Sequence, residues 1–203
     1  MRKLLMGIMV MMFSAAAAAN GYTNVQTQQP VRGDGQKIEI ESVFWYGCPY
    51  CQDLEPRLQK LAKDLPDDVE LISVPAPLNP SWALHARAYH VAKHLDMEDR
   101  LHERFFREIQ SSKGRAFHDL ESLVRFMNRY GADEDEVRKA AEHPAVIGAM
   151  RSDAARLTAY GLRQVPALIV GGKYMVTAQS AGGIGRMTGQ ALEIAEKIRE
   201  GQL

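Results

Sequence analysis

Cysteine is almost missing from this chain, which holds only Cys48 and Cys51 among 203 residues. A secreted scaffold stapled by several disulfides is therefore excluded. A bridge between the two would close so small a loop that it would constrain the unfolded chain very little. Also missing is an apolar run of the roughly 20 residues that a membrane-spanning helix needs. The best candidate, LLMGIMVMMF near the N-terminus, is half that length. Positive charge is not in excess either: 25 Lys and Arg balance 25 Asp and Glu. With no basic cluster, neither nucleic acid nor an anionic membrane is the expected partner. No internal repeat is visible, and no second CxxC completes a zinc ligand set.

What is present begins with the N-terminus. Arg2 and Lys3 precede the apolar run, and SAAAAAN follows it. A short basic start, an apolar core and a small-residue ending describe a secretory signal peptide over residues 1–19, cleaved near Ala19. Its removal lowers the basic count from 25 to 23 and takes five of the ten methionines. An exported chain is expected in the periplasm, where disulfides form and persist.

The remaining chain reads as β-α-β, a helical block, then β-β-α. Residues 20–30 are polar and predict a loosely held N-terminal arm. KIEIESVFW (37–45) is β-branched and aromatic and predicts a buried strand. From Pro49 a helical period places Leu54, Leu58, Leu61 and Leu65 on one face, with Pro56 inside the helix. DVELISVPA (68–76) predicts a second strand. About five helices follow between residues 81 and 161, with Ser81 and Asp133 as caps and Gly161 as a stop. QVPALIV and KYMVTA flank Gly171–Gly172, a two-residue hairpin signature. A helix from about Ile184 to Arg199 closes the chain.

The cysteines sit where a strand runs into a helix, in FWYGCPYCQDLEP (44–56). Pro49 falls at the first helical position, where a missing N–H costs nothing. A sulfur at Cys48 meets unpaired amides and the positive end of the helix dipole, which favour its thiolate. Cys51, one turn on, can meet Cys48 but points toward the packed side. Cys48 is then the candidate nucleophile and Cys51 the resolving partner. The six histidines offer a zinc alternative, with His90 and His94 four apart on one helix. They lack the glutamate of HExxH and read as solvated helix residues. A CxxC beside a β-α-β pattern reads as a redox motif. SAGGIGRMTG (180–189) lacks the lysine of a phosphate loop and is not read as one.

FWYGCPYC with QDLEP, then SWALHARAYHVAKHL, then YGLRQVPALIVGGKYMV, resembles the DsbA family of periplasmic thiol:disulfide oxidants, from about Lys37 to the C-terminus. The resemblance implies an α/β thioredoxin-like fold, residues 20–80 and 162–203, interrupted by an inserted helical domain, 81–161. It implies that Cys48 and Cys51 are the catalytic pair and act without a further cofactor. Val165–Pro166 matches the dipeptide whose cis proline lies against that pair, with the Val165 backbone pairing to substrate. Glu55 matches an acidic residue near the active-site helix. The implied partners are reduced exported polypeptides and a membrane, quinone-coupled re-oxidant of the DsbB type; the chain is expected to be a monomer.

Two departures stand out. Pro49–Tyr50 replaces the Pro-His of the best-known members, and a neutral tyrosine can offer a thiolate only a hydrogen bond. Where the family often buries a glutamate six residues before the first cysteine, this chain has Ser42. Glu41 is one residue off, which turns it to the other face of the strand. Trp45, Tyr46 and Leu168 are candidate apolar contacts for substrate, with core packing the alternative for the aromatics and favoured for Trp45. An isomerase or reductase of the same superfamily remains open, as does a peptide-binding, chaperone-like protein.

Overall fold

In the computed structural model, residues 20–32 and 35–203 are described; the expected signal peptide, 1–19, lies outside them. The strand expected from KIEIESVFW is β2, Ile38–Phe44, after a short edge strand β1, Thr23–Asn24. Helix α1 spans Pro49–Asp64 and leads to β3, Val69–Pro75. Five helices follow: α2 Pro80–His94, α3 Glu98–Ser111, α4 Leu120–Asn128, α5 Glu134–Ala141 and α6 Pro144–Tyr160. The chain then forms β4, Ala167–Val170, and β5, Tyr174–Thr177. It closes with a short α7, Ala178–Ala181, a 3-10 turn at Ile184–Arg186, and α8, Met187–Arg199.

The strands form one mixed sheet in the order β1-β5-β4-β2-β3. β2 and β3 run parallel, and the other pairs are antiparallel. Central β2 pairs Ser42 with Leu168 and Val43 with Ala167. Strand alternation then divides its side chains. Ile40 packs with Leu54, Leu58 and Leu61 of α1 and Met187, Ala191 and Ile194 of α8. Val43 turns the opposite way, toward Leu157 and Tyr160 of α6. Each of the Leu, Ile, Val and Met side chains among these contributes about 1.5–3 kcal/mol by leaving water. A third cluster joins the strand end, Phe44 and Tyr46, to Phe105, Phe106, Leu123 and Phe126 of the helical block, and it includes both cysteines.

Several expectations require correction. Residues 20–30 are tied down, because β1 pairs with β5 and Val25, Gln26 and Gln29 donate their amides to Lys173, Tyr160 and Gly172. Backbone groups pair whatever the side chain, so a polar sequence gave no sign of it. Asn79, not Ser81, caps α2: its side chain accepts from the Trp82 amide, with Pro80 at the first helical position. Gly171 and Gly172 both take positive φ, and Lys173 N–H donates to Val170. Even so, Val170 pairs with Tyr174, so the hairpin connection has three residues. Glycine at 172 is required, since a Cβ there would lie 2.1 Å from the Gln29 carbonyl oxygen.

A buried ionic network occupies the α6 side of β2. Glu39 and Glu41 are fully buried. Arg156 donates to Glu41 from Nε and Nη2 at 2.9 and 2.7 Å, and to the Pro30 carbonyl at 2.6 Å. Tyr160 donates its hydroxyl to the same Glu41 oxygen. Arg32 reaches Asp153 at 3.0 Å and gives its backbone N–H to Glu39. Burial still pushes the Glu39 carboxyl above the usual carboxylate range. His90, expected to be solvated, is also buried here, 2.9 Å from Asp153. Its helix turns that face inward against α6, which the spacing of His90 and His94 alone does not reveal.

Candidate active site

β2 ends at Phe44, and the next three residues turn the chain into α1. The turn closes where Cys48 N–H donates to the Trp45 carbonyl at 2.9 Å. Gly47 is required there because the Trp45 ring crosses over it: a Cβ would come within 2.3 Å of Cζ2. Trp45 stacks on Trp82 at 4.4 Å and donates Nε1–H to His85 Nδ1 at 2.8 Å. His85 must then carry its proton on Nε2, facing the Ala116 carbonyl at 2.9 Å. Burial lowers its pKa and keeps it neutral. From α3, Gln110 Nε2 donates to the Tyr46 and Cys48 carbonyls at 3.2 and 3.4 Å. The turn is thus held from the strand, α2 and α3 together.

Cys48 is the residue before the first turn of α1, and Pro49 follows at the first helical position. Neither cysteine is bonded to the other. The Cys48 thiol is lowered to about 7, chiefly by a hydrogen bond from the Cys51 thiol, against the cost of burial. The Cys51 and Tyr50 amides add to this as dipoles at the helix N-terminus, and neither closes a full capping hydrogen bond to the sulfur. The charge of Asp53 works the other way. Cys51 is fully buried, and that burial drives its thiol far above the ordinary range. One proton therefore sits between two sulfurs of very different acidity.

The Val165–Pro166 bond is cis. Cys48 Sγ lies 3.7 Å from the Val165 carbonyl oxygen, although the two residues are 117 apart in sequence. Val165 and Pro166, together with Tyr50, Asp53, Gln164 and Ile184, line an open cavity of about 450 Å³. Ile184, from the glycine-rich segment, forms part of its wall. Tyr50 is 65% exposed. Among the described residues its hydroxyl has no partner, and only its backbone reaches toward Cys48. The hydrogen bond a tyrosine could offer the thiolate is not made by its side chain.

Glu55 is half-buried one helical turn beyond Cys51, with Oε2 3.3 Å from His102 Nε2. His102 Nδ1 lies 2.9 Å from the Tyr46 hydroxyl. Sequence reasoning found Glu55 but missed His102 and Gln110, since nothing periodic links α3 to the strand end. Tyr46 and Leu168, expected as substrate contacts, are buried in the core. Leu168 faces α1 and α8 from mid-sheet, and Tyr46 packs edge-on against Phe44, Phe105 and Phe106. Trp45 is only partly covered. Ser42 is buried on β2, and Glu41 faces Arg156 on the other side of the sheet. Among the described residues, no three His, Cys, Asp or Glu side chains gather to hold a metal.

A model of the DSBA-like thioredoxin domain matches residues 81–183. The thiol:disulfide interchange protein DsbA of Azotobacter vinelandii is 33% identical over 162 residues, covering 80% of this chain and 75% of that protein. Its namesake in Pseudomonas aeruginosa is 30% identical over 192 residues, with 90% of each covered. The crystal structure of Pseudomonas aeruginosa DsbA superimposes with a TM-score of 0.82 at 28% identity, covering 90% of this chain and 94% of that one. With the cysteine pair at a helix start beside a cis proline, these likenesses place the chain: it belongs to the DsbA family of thiol:disulfide interchange proteins.

Proposed function

We propose that this chain is a periplasmic oxidant that introduces disulfide bonds into exported polypeptides through Cys48 and Cys51. The observation that carries this reading is the split acidity of the pair. Cys48 sits near 7 at the start of α1, while Cys51 is buried and resists ionisation. A sulfur that is stable as thiolate is a good leaving group, so holding the reduced form makes the disulfide form a strong oxidant.

The reaction proceeds in two exchanges. A substrate thiolate attacks Cys48 Sγ, the Cys48–Cys51 bond breaks with its electron pair on Cys51, and a mixed disulfide remains. The substrate's second thiolate attacks its own sulfur in that mixed disulfide and expels Cys48 as thiolate. The substrate leaves with a disulfide, its two thiol protons having passed to solvent, and the enzyme holds the two electrons, with Cys48 as thiolate and Cys51 having taken up one proton. Val165 offers its backbone to the bound peptide, and the cavity by Tyr50 and Pro166 takes a neighbouring side chain. Pro49 fixes the first helical residue behind Cys48. A membrane quinone-coupled partner of the DsbB type removes the electrons.

In this reading residues 1–19 are a signal peptide, residues 20–80 and 162–203 form the thioredoxin-like domain, residues 81–161 form the helical insertion, and the protein acts as a monomer without a cofactor beyond its own disulfide. Mixing the oxidised protein with a reduced two-cysteine peptide tests it. Stoichiometric peptide oxidation that disappears in Cys48→Ser is expected. A Cys48→Ser protein that still oxidises the peptide, or an oxidised wild type that does not, overturns the proposal.

A further inference from the structure

Cys51 poses a proton problem that the cysteine pair does not solve alone. Opening the Cys48–Cys51 disulfide releases Cys51 as a thiolate and re-forming it consumes Cys51 as one, and the residue is 1% exposed. The strand position that could hold a buried acid is Ser42, and Glu41 faces α6 and is committed to Arg156 and Tyr160. Glu55 is four residues after Cys51 on α1, so the two share one face of the helix. Its carboxylate adds to the charge felt by Cys51 and does not figure at Cys48. Glu55 is 13% exposed and lines a cavity of about 250 Å³ with Gln52, Gln59, Glu103 and Arg107, which gives it contact with solvent.

His102 fixes where that carboxylate points. Burial raises the Tyr46 hydroxyl well above its usual range, so it stays protonated and donates to His102 Nδ1. The imidazole then carries its proton on Nε2, which faces Glu55 Oε2 at 3.3 Å. Phe44, Tyr46 and Phe106 contact the ring edge-on and hold its plane. We propose that Glu55 is the proton-exchange partner of Cys51, and that His102 is the residue positioning it, through the chain Tyr46–His102–Glu55. This rests on the redox reading above.

In the oxidising direction, the Cys48–Cys51 bond breaks with its electron pair on Cys51 Sγ. That sulfur takes the proton of the Glu55 carboxyl, and Glu55 is left as the carboxylate. In re-oxidation, Cys48 first forms a mixed disulfide with the oxidant. Cys51 then attacks Cys48 Sγ, the oxidant's sulfur leaves as thiolate, and the Cys51 proton passes to the Glu55 carboxylate. The charged and titratable groups around the pair are Cys51 on α1, Tyr46 at the strand end, Tyr89 on α2, and Glu98, Glu103 and Arg107 on α3.

Glu55→Gln keeps the shape and cannot exchange a proton; His102→Phe keeps the ring packing and cannot hold Glu55. The reduced chain is mixed with oxidised glutathione in rapid-quench experiments across about pH 5 to 8. Formation of the Cys48–glutathione disulfide and its resolution by Cys51 are followed separately, and Cys48 alkylation by iodoacetamide is measured alongside. In both variants resolution is expected to slow by about tenfold or more and to lose its pH dependence, with Cys48 alkylation within about twofold of wild type. Resolution at the wild-type rate overturns the proposal. So does an equal slowing of both steps, which would mark a merely structural effect. If His102→Phe does not fold, Glu55→Gln decides by the same criteria. A wild type that never resolves the mixed disulfide defeats the redox reading itself.

Discussion

Raising the pH from about 6 to about 8 should stabilise the reduced protein relative to its disulfide form. The Cys48 thiol is held at about 7 against an ordinary 9.0. A group whose pKa is depressed by folding contributes stability above its unfolded pKa and loses it as pH falls through the folded value. Two units correspond to about 2.7 kcal/mol, complete only well above pH ~9. At about pH 8 the unfolded thiol is still mostly protonated, so the gain between pH 6 and 8 is about 1.3 kcal/mol. Cys51 has the opposite sign. Burial raises its thiol, so its contribution is lost as pH rises past the unfolded pKa. Over this window that loss is only about 0.1 kcal/mol.

Urea unfolding of the reduced and disulfide forms at both pH values measures this. The other titrating groups are common to both forms, so subtracting one from the other isolates the thiols. A difference that stays flat between about pH 6 and 8 refutes the assignment of a depressed Cys48. The reduction potential carries the same information. It should fall by about 59 mV per pH unit where two protons accompany two electrons, and by about 30 mV per unit once Cys48 is a thiolate. The break is expected at about pH 7. A single slope up to about pH 8 would contradict it.

Tyr50→His should make the pair more oxidising, because an imidazolium at the helix start adds a charge that the exposed tyrosine does not supply. Equilibration with glutathione buffers reads the potential, and an unchanged value defeats the reasoning about this dipeptide. Arg156→Met should cost about 3–5 kcal/mol in urea unfolding near pH 7, since it strands Glu39 and Glu41 without their cation. The loss should shrink near about pH 5, where Glu39, already raised, takes up a proton more readily. A loss below about 1 kcal/mol would mean the network contributes little.

The parts of the molecule that were legible in the sequence are those built from local pattern. The 3.6-residue period of Leu54, Leu58 and Leu61 marks the buried face of α1, and the β-branched run marks β2. Asp133 is a visible cap because its carboxylate serves amides two and three residues on. What was illegible depends on partners far apart in sequence. His90 reads as solvated until Asp153 lies beside it, and the polar arm reads as loose until its amides meet Lys173 and Tyr160.

The departure at Ser42 shows why one residue of register matters more than composition. β2 contains glutamates at 39 and 41, yet both point to α6, because a strand presents alternate residues to opposite faces. Having an acid next door therefore does nothing for Cys51. The face that does see Cys51 is closed by α1 and the helical block, and the acid there comes from one turn further along α1. Glu55 alone could swing toward solvent through its cavity, so its usefulness depends on being held. His102, from α3, supplies that hold at 3.3 Å. The requirement for a proton partner is local to the cysteine helix, but the residue that fixes its position comes from the helical block.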